Sequence, residues 1–473
     1  MAVRQEILYL KIARTLAEQI GNGTLKLGEK LPSLRSVQKM YNVSLNTAKQ
    51  VFWELESKSL IESRPKSGYY VSTAAVRQRS LPSVASIKPA HREHHPEDLI
   101  TKVFDTLNDE EITQFSLGLP DQSLLPLAKL NKGIINAVRT LKDGGVRYEP
   151  VQGNLNLRRT VAKWSLVLEG KITEDDIVTT SGTMNAIFNC LMAVTKPGDT
   201  VAVESPVYFG IIQIVTSLKL NVIEIPTHPV TGIDLDAVRK VLPKLNACCF
   251  ISNFSNPLGC LMPDAHKEEL VRMLTAYDIP LIEDDLYGNL FFGPSRPKPC
   301  KYYDEAGIVM WCGSVSKTLA PGYRVGWVAP GKYKEQILGQ KLLQTISTPA
   351  LFQEVVADFM NYGRYDHHLR TFRKTLYANC LRYQQAIEQY FPDNTRVSQP
   401  QGGFMLWLEL DKRVDTAELF DLAIRQKIGF APGRMFTQYN QYNNCMRLNY
   451  GLAWSDKLEF DLKRLGNMVK DAL

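Results

Sequence analysis

No uninterrupted apolar run in this 473-residue chain approaches the length needed to cross a bilayer, which argues against a membrane-spanning helix. The opening MAVRQEILYLKIARTL lacks the apolar stretch and small-residue cleavage site of a secretory leader. Its acidic residues and amphipathic spacing predict a folded helix instead. Low-complexity tracts are missing too, and charged residues make up an ordinary 22%. None of the eight cysteines, at positions 190, 248, 249, 260, 300, 312, 380 and 445, belongs to a CxxC pair. That pattern argues against a zinc site or a disulfide scaffold, and predicts reduced thiols in a cytoplasmic protein.

The length itself exceeds what one hydrophobic core usually organises, so two or more units are expected. Residues 1–74 carry 11 Lys and Arg against 6 Asp and Glu, whereas residues 101–473 carry 41 against 40. A basic small unit beside a nearly neutral large one points to a polyanion as the small unit's partner.

Within residues 1–74, Ile7, Leu10, Ile12 and Leu16 space out an amphipathic helix that Gly-Asn-Gly at 21–23 terminates. Ser33 after Pro32 is a good N-cap for a second helix near SLRSVQKMY. After the turn YNVS, Ser44 or Asn46 can cap a third, NTAKQVFWELESKSL. Val37, Met40, Val43, Ala48, Val51 and Leu55 form the expected buried side of a helix-turn-helix. LIESRPKSGYYV then predicts a hairpin with Arg64 and Lys66 at its tip. Such a unit inserts its third helix N-terminus first into the DNA major groove, which brings Ser44, Leu45, Asn46, Thr47 and Lys49 to bases and phosphates. Arg35 falls where the preceding helix crosses the backbone, and Arg64 and Lys66 reach the backbone or minor groove. The stretch Gly28 to Val71 resembles the winged-helix domain of the GntR family of bacterial regulators. Members of that family often carry Arg after the turn Ser; Leu45 stands there in this chain, which favours contact with a thymine methyl over guanine readout.

Residues 75–96 have little periodicity and are read as a linker, with the close trio His91, His94 and His95 taken as polar linker residues, not metal ligands. A helix is expected to resume at PEDLITKVFDTL and to open the large domain, 97–473. Beyond about residue 145, short β-branched runs alternate with helical patterns, which predicts a mainly parallel sheet covered by helices. The ends of those runs carry polar clusters, where open α/β sheets bind ligands. In SVSKTLAPGYR, Lys317 follows a strand, and Ser314, Ser316 and Arg324 can bind a phosphate beside it. In IPLIEDDLYG, Asp284 and Tyr287 suit a pyridine nitrogen and a ring oxygen, and Asn256 of FSNPLG can also donate to that oxygen. Ser181-Gly182-Thr183 lead a strand into a helix start, an anion site. Tyr208 of ESPVY can stack on a ring.

Taken in order, YEPVQGNLNLR, SGTMNA, ESPVY, NPLG, EDDLY, SVSKTLAPGYRVGW and MRLNYG resemble the fold-type I enzymes that use pyridoxal 5'-phosphate (PLP), the aspartate aminotransferase superfamily. The resemblance implies an internal aldimine on Lys317, Asp284 on the pyridine nitrogen, Asn256 and Tyr287 on the 3-hydroxyl, and Tyr208 on the ring. It implies a phosphate held by Ser181, Gly182, Thr183, Ser314 and Arg324, and by Tyr148 of a partner subunit in a homodimer. Arg447 matches the arginine that grips an α-carboxylate, and Gly118 the glycine that admits the substrate. Leu258 replaces the usual Thr of NPTG and leaves the asparagine intact.

A GntR-like winged helix ahead of such a domain is similar to the MocR subfamily of regulators. That resemblance implies an α/β protein with an N-terminal winged helix-turn-helix, binding double-stranded promoter DNA and sensing PLP or an amino-acid or amine effector on Lys317. A working aminotransferase is the alternative, since Lys317 is also the residue that would shuttle a proton in transamination. A cofactor-free fold is disfavoured by the presence of both Lys317 and Asp284.

Overall fold

The computed structural model describes residues 8–21, 24–25, 28–57, 60–64, 67–72, 79–85, 97–107, 109–141 and 144–473. Two compact units divide the chain: Met1–Ser80 with Ile387–Gln389, and Leu81–Ala386 with Tyr390–Leu473.

In the small unit, helices α1 (Leu8–Gly21), α2 (Leu34–Met40) and α3 (Leu45–Ser57) close on a core that includes Ile12, Leu16, Val37, Ala48, Val51, Phe52 and Leu55. Strands β1 (Ile61–Arg64) and β2 (Gly68–Val71) pair antiparallel, with Ile61 opposite Val71 and Arg64 opposite Gly68. The Ser33 hydroxyl accepts from the Ser36 amide at 3.1 Å and starts α2. Of the two candidate caps for α3, Ser44 serves, accepting from the Thr47 amide at 3.0 Å, and Asn46 lies in the first turn.

Met40, expected inside, is 65% exposed, and Val43 is half-buried. The seven-residue α2 buries Val37 alone, and Met40, its last residue, runs out into the turn where Asn42 takes a φ of 50°. The core closes without Met40, on Phe52 and the α1 residues Ile12, Ala13, Leu16 and Ile20 among others. Ile7, Asn22, Gly23, Pro65, Lys66, His91, His94 and His95 lie outside the described residues.

The large unit opens with helix α4 (Glu97–Asp105) and is built on an eight-stranded sheet. Its strands are β3 (Val178–Thr180), β4 (Thr200–Ser205), β5 (Asn221–His228), β6 (Gly232–Ile233), β7 (Ala247–Phe250), β8 (Leu281–Asp284), β9 (Val309–Ser314) and β10 (Gly326–Ala329). They lie in the order β3-β10-β9-β8-β7-β4-β5-β6. The run β9-β8-β7-β4-β5 is parallel throughout, and apolar clusters pack on both of its faces. Burial on both sides explains why segments such as Ala-Cys-Cys-Phe in β7 are apolar without alternation.

Two strands break the parallel pattern, the short β6, antiparallel to β5 at one edge, and β10. β10 runs antiparallel to both β9 and β3. The segment 315–325 that joins β9 to β10 is shorter than a parallel crossover needs, so the chain returns instead of crossing over. This tight return holds Lys317 and Arg324 at the sheet's edge of strand ends. Helix α5 (Thr183–Val194) follows β3 directly.

A second, antiparallel sheet is formed by β11 (Arg396–Val397), β12 (Met405–Glu409), β13 (Ala431–Pro432) and β14 (Cys445–Asn449), ordered β11-β12-β14-β13. Arg447 sits in the middle of β14, opposite Trp407 and Ala431. Among the described residues no helix is long and apolar enough to cross a membrane. All eight cysteines are buried and free.

Candidate functional site

Strand ends and loops of the large unit enclose a cavity of 260 Å³ whose wall includes Gly118, Thr183, Tyr208, Asn256, Asp284, Tyr287, Ser316, Lys317, Arg324 and Arg447. Lys317 lies on its floor, and its Nζ donates to the Gly118 carbonyl. Removal from water, then the positive Arg447 and Arg324, pull its amine down to about 8, and Asp284 opposes them in part. At pH 7 about a tenth of such an amine is neutral and nucleophilic, against well under a thousandth for an exposed lysine.

Asp284 ends β8 and is buried, and loss of solvent pushes its carboxyl up to about 7. The Leu286 amide donates to it at 3.1 Å. A cation placed at this carboxylate would draw it back to the ionised form. Tyr287 is buried beside Asn256, and burial raises its phenol well above the usual range.

Arg447 is 1% exposed, an expensive place for a guanidinium. Its Nη1 donates to Asn256 Oδ1 at 2.9 Å, its Nη2 to the Ser116 carbonyl, and its carbon stands 5.1 Å from the centre of the Phe436 ring. The Nε has no hydrogen-bond partner among the described residues. A buried cation met only by neutral acceptors, with one donor idle, is suited to an incoming carboxylate.

The phosphate corner has the same unfinished character. Helix α5 begins after Gly182 with no side-chain cap, and the buried Thr183 Oγ1 has no hydrogen-bond partner among the described residues. Gly182 has a φ of 88°, and a Cβ there would come within 2.6 Å of Arg324 Nη2. Arg324 itself donates to the Ser181 carbonyl at 3.1 Å and has no carboxylate partner among the described residues. A helix start, an idle hydroxyl and an unpaired guanidinium fit a phosphate.

Four of the expected residues do not line the cavity. Ser181 and Gly182, next to Thr183 in the chain, are two of them, and the Ser181 amide is spent on Asn185 Oδ1 at 3.1 Å. Ser314 lies behind Ser316; the two hydroxyls are 2.8 Å apart, and Ser314 Oγ also donates to the Val325 carbonyl. Tyr148 is 79% exposed and away from the cavity of its own chain.

Sequence reasoning missed two sets of residues. Asp285 is clamped by the Asn253 amide at 2.9 Å, the Trp311 indole at 2.8 Å and Arg296, which fixes the backbone next to Asp284. Its signal, the doubled Asp of EDDLY, was present but carried no partner. The second set is the apolar wall from Val103, Phe104 and Leu107 to Met184 and Phe209, which only the fold brings to the site.

In the small unit, Arg35, Ser44, Leu45, Asn46 and Lys49 are exposed, and Thr47 is half-buried. Part of the Ser44 and Thr47 hydroxyl capacity is used locally, since the two oxygens are 2.9 Å apart. Arg64 pairs with Glu62 at 2.7 Å and lies 4.2 Å from the Tyr70 ring centre.

A parallel sheet with a lysine, an aspartate, a phosphate corner and a buried arginine at its strand ends defines a fold-type I PLP-dependent domain. The aminotransferase class I and II model matches residues 120–457, and the bacterial regulatory proteins, gntR family model matches residues 8–71. The chain is 35% identical over 470 residues to the HTH-type transcriptional regulator YdcR of Escherichia coli K12, and 36% identical to YjiR of the same organism. Each match covers 98% of this chain and 99% of the relative. The crystal structure of LysN, an α-aminoadipate aminotransferase from Thermus thermophilus complexed with N-(5'-phosphopyridoxyl)-L-leucine, superposes with a TM-score of 0.73 at 26% identity. That similarity covers 79% of this chain and 95% of LysN. The chain belongs to the aminotransferase class I and II family, in the MocR arrangement of GntR-type regulators that carry such a domain. Its cofactor is PLP.

Proposed function

We propose that this protein is a PLP-dependent transcription regulator that binds promoter double-stranded DNA through residues 1–74 and senses an amino-acid or amine effector in the domain 97–473, with 75–96 as the linker. The observation that carries the reading is the coexistence of an exposed, capped α3 in a basic unit with a cavity whose buried donors are unfinished. When bound, PLP supplies an aldehyde that combines reversibly with amines and a ring that withdraws electrons.

The chain's own residues do the rest. Lys317, lowered to about 8, offers a neutral amine near physiological pH. Asp284 holds a proton at the ring nitrogen position, Asn256 and Tyr287 face the ring oxygen, and Tyr208 covers the ring. Thr183, Ser316 and Arg324 hold the phosphate, with Ser181, Gly182 and Ser314 shaping the corner from behind. Arg447 grips the effector carboxylate, and Gly118 leaves room beside Lys317: a Cβ there would lie 3.7 Å from Nζ. Tyr148, 79% exposed, completes the phosphate site of a partner subunit in a homodimer. Val146, Ile135, Val138 and Leu343 are exposed apolar side chains that such a pairing would cover. Arg35, Ser44, Leu45, Asn46, Thr47, Lys49, Arg64 and Lys66 meet the DNA, and the site of action is the cytoplasm.

An effector can alter DNA affinity only if it binds one arrangement of the paired winged helices better than another. A second reading, an aminotransferase acting on an amino acid, is favoured by the complete set around Lys317, whose neutral amine can also carry a proton. Fluorescence anisotropy with a fragment upstream of the protein's own gene, with and without PLP and amino compounds, separates the two. Salt-sensitive, sequence-specific binding that shifts on adding an amino compound supports the regulator. Rapid amino-group transfer with no binding to any promoter fragment would overturn it. For the lysine assignment, an unchanged visible absorption band of bound cofactor in Lys317→Ala would be fatal.

A further inference from the structure

The cavity wall carries few charged groups. Lys317, Arg324, Arg447 and Asp284 account for every ionisable acid or base in its wall other than the two tyrosines. The same wall holds Val103, Phe104 and Leu107 from α4, with Met184 and Phe209, and the Phe104 and Phe209 rings touch. Val103 is 1% exposed and anchors the helix, whereas Phe104 and Leu107 are 45% and 40% exposed at the mouth.

An aromatic row links Arg447 to α4. The Phe436 ring lies 5.1 Å under the Arg447 guanidinium, Phe209 is 6.0 Å from Phe436, and Phe104 is 5.8 Å from Phe209, both ring pairs edge to face. The row therefore runs from the carboxylate clamp to the mouth with no polar side chain in it. An amino acid held by its carboxylate at Arg447 and its amine at Lys317 has one group left free, its side chain. Of the row, Phe209 and Phe104 are in the cavity wall, so they are the rings such a side chain can meet.

We propose that the effector is a neutral α-amino acid with an apolar side chain of several carbons, read by Phe104, Leu107, Met184 and Phe209. The proposal rests on the amino-acid-sensing reading above and adds the side-chain class to it. An aliphatic or aromatic side chain covers Phe104 and Leu107 and gains about fourfold in affinity per buried methylene. A carboxylate or ammonium on the side chain would lose water against this wall and find no opposite charge.

The test uses the full-length protein loaded with PLP and titrated with L-alanine, 2-aminobutyrate, norvaline, norleucine, phenylalanine, glutamate and lysine. Two readouts are followed: the absorbance of the bound cofactor and the anisotropy of a labelled promoter fragment. Dissociation constants are expected to fall about fourfold per methylene, so that norleucine binds about sixtyfold tighter than alanine. Glutamate and lysine are expected to bind more weakly than norvaline. In Phe104→Ala the ratio of norleucine to alanine affinity drops about tenfold. In Phe104→Arg, a change at an exposed position, glutamate overtakes norleucine. A series without dependence on side-chain length, or tighter binding of glutamate or lysine to the unaltered protein, overturns the apolar assignment and leaves amino-acid sensing intact. If PLP binds but no amino acid perturbs its absorbance, the sensing reading itself falls, and the assignment with it.

Discussion

Lys317 shows how far a short motif carries and where it stops. Ser-x-x-Lys alone selects nothing; the lysine gained meaning from Asp284, Asn256, Arg324 and Arg447, all named from motifs, and the fold brings them to one cavity. What the motifs did not carry is layering. Ser314 and Ser316 look equivalent in sequence, yet the pleat of β9 and the turn after it put one hydroxyl behind the other. The buried amine also has a thermodynamic consequence. Its folded value, about 8, lies below the 10.5 of an exposed lysine. Between those two pH values the unfolded chain holds a proton that the folded chain has released, so stability rises with pH there, and the full penalty is present below about 8. Lys317→Met removes that penalty in the cofactor-free protein. The large unit is expected to gain about 1–2 kcal/mol at pH 7, less than the full shift implies because the Lys317 side chain as a whole keeps some contact with solvent, although its amine is enclosed, and Asp284 loses a neighbour. The gain should shrink toward pH 10.5, and thermal unfolding across that range checks both size and sign. A variant less stable than the parent at pH 7 would show that packing around the Lys317 stem outweighs its charge.

At the level of elements, the small unit was nearly all legible, because caps, turns and hydrophobic spacing are local signals: Ser33, Ser44 and the α1 spacing each act within a few residues. Met40 escaped because its exposure depends on how much room α1 and Phe52 leave, which is a tertiary matter. In the large unit the parallel strands were legible as continuous apolar runs, but the reversal at β10 was not, since strand direction is set by the length of the return from β9 and by its two neighbours. The apolar wall was likewise out of reach; α4 stands some 80 residues before the next wall element, α5, and nothing local links them. The start of α5 is where an element-scale prediction is sharpest. Gly182 combines a left-handed φ of 88° with a Cβ position 2.6 Å from Arg324 Nη2. Gly182→Ala must move either the helix start or the guanidinium, and both belong to the phosphate corner. PLP affinity, followed by the absorbance of protein-bound cofactor, is expected to fall by tenfold or more. An affinity within twofold of the parent would mean that the phosphate does not sit between Thr183 and Arg324.

For the whole molecule, the division of charge is the feature that joins the two chemistries. A basic N-terminal unit can hold DNA by phosphate contacts alone, but it cannot report on a cavity in another unit unless the two binding events share a free energy. Linkage then imposes a symmetry that no regulatory scheme can evade. If a saturating effector changes promoter affinity by some factor, saturating promoter DNA must change effector affinity by the same factor. The first quantity comes from anisotropy with and without norleucine, and the second from cofactor absorbance during norleucine titrations with and without the promoter fragment, at one salt concentration because phosphate contacts make DNA affinity steeply salt-dependent. The two factors are expected to agree, in the range of five- to 150-fold typical of allosteric coupling. Two factors both equal to one would leave a DNA-binding unit and an amino-acid-binding unit in one chain without communication, and the regulator would have to respond to PLP alone.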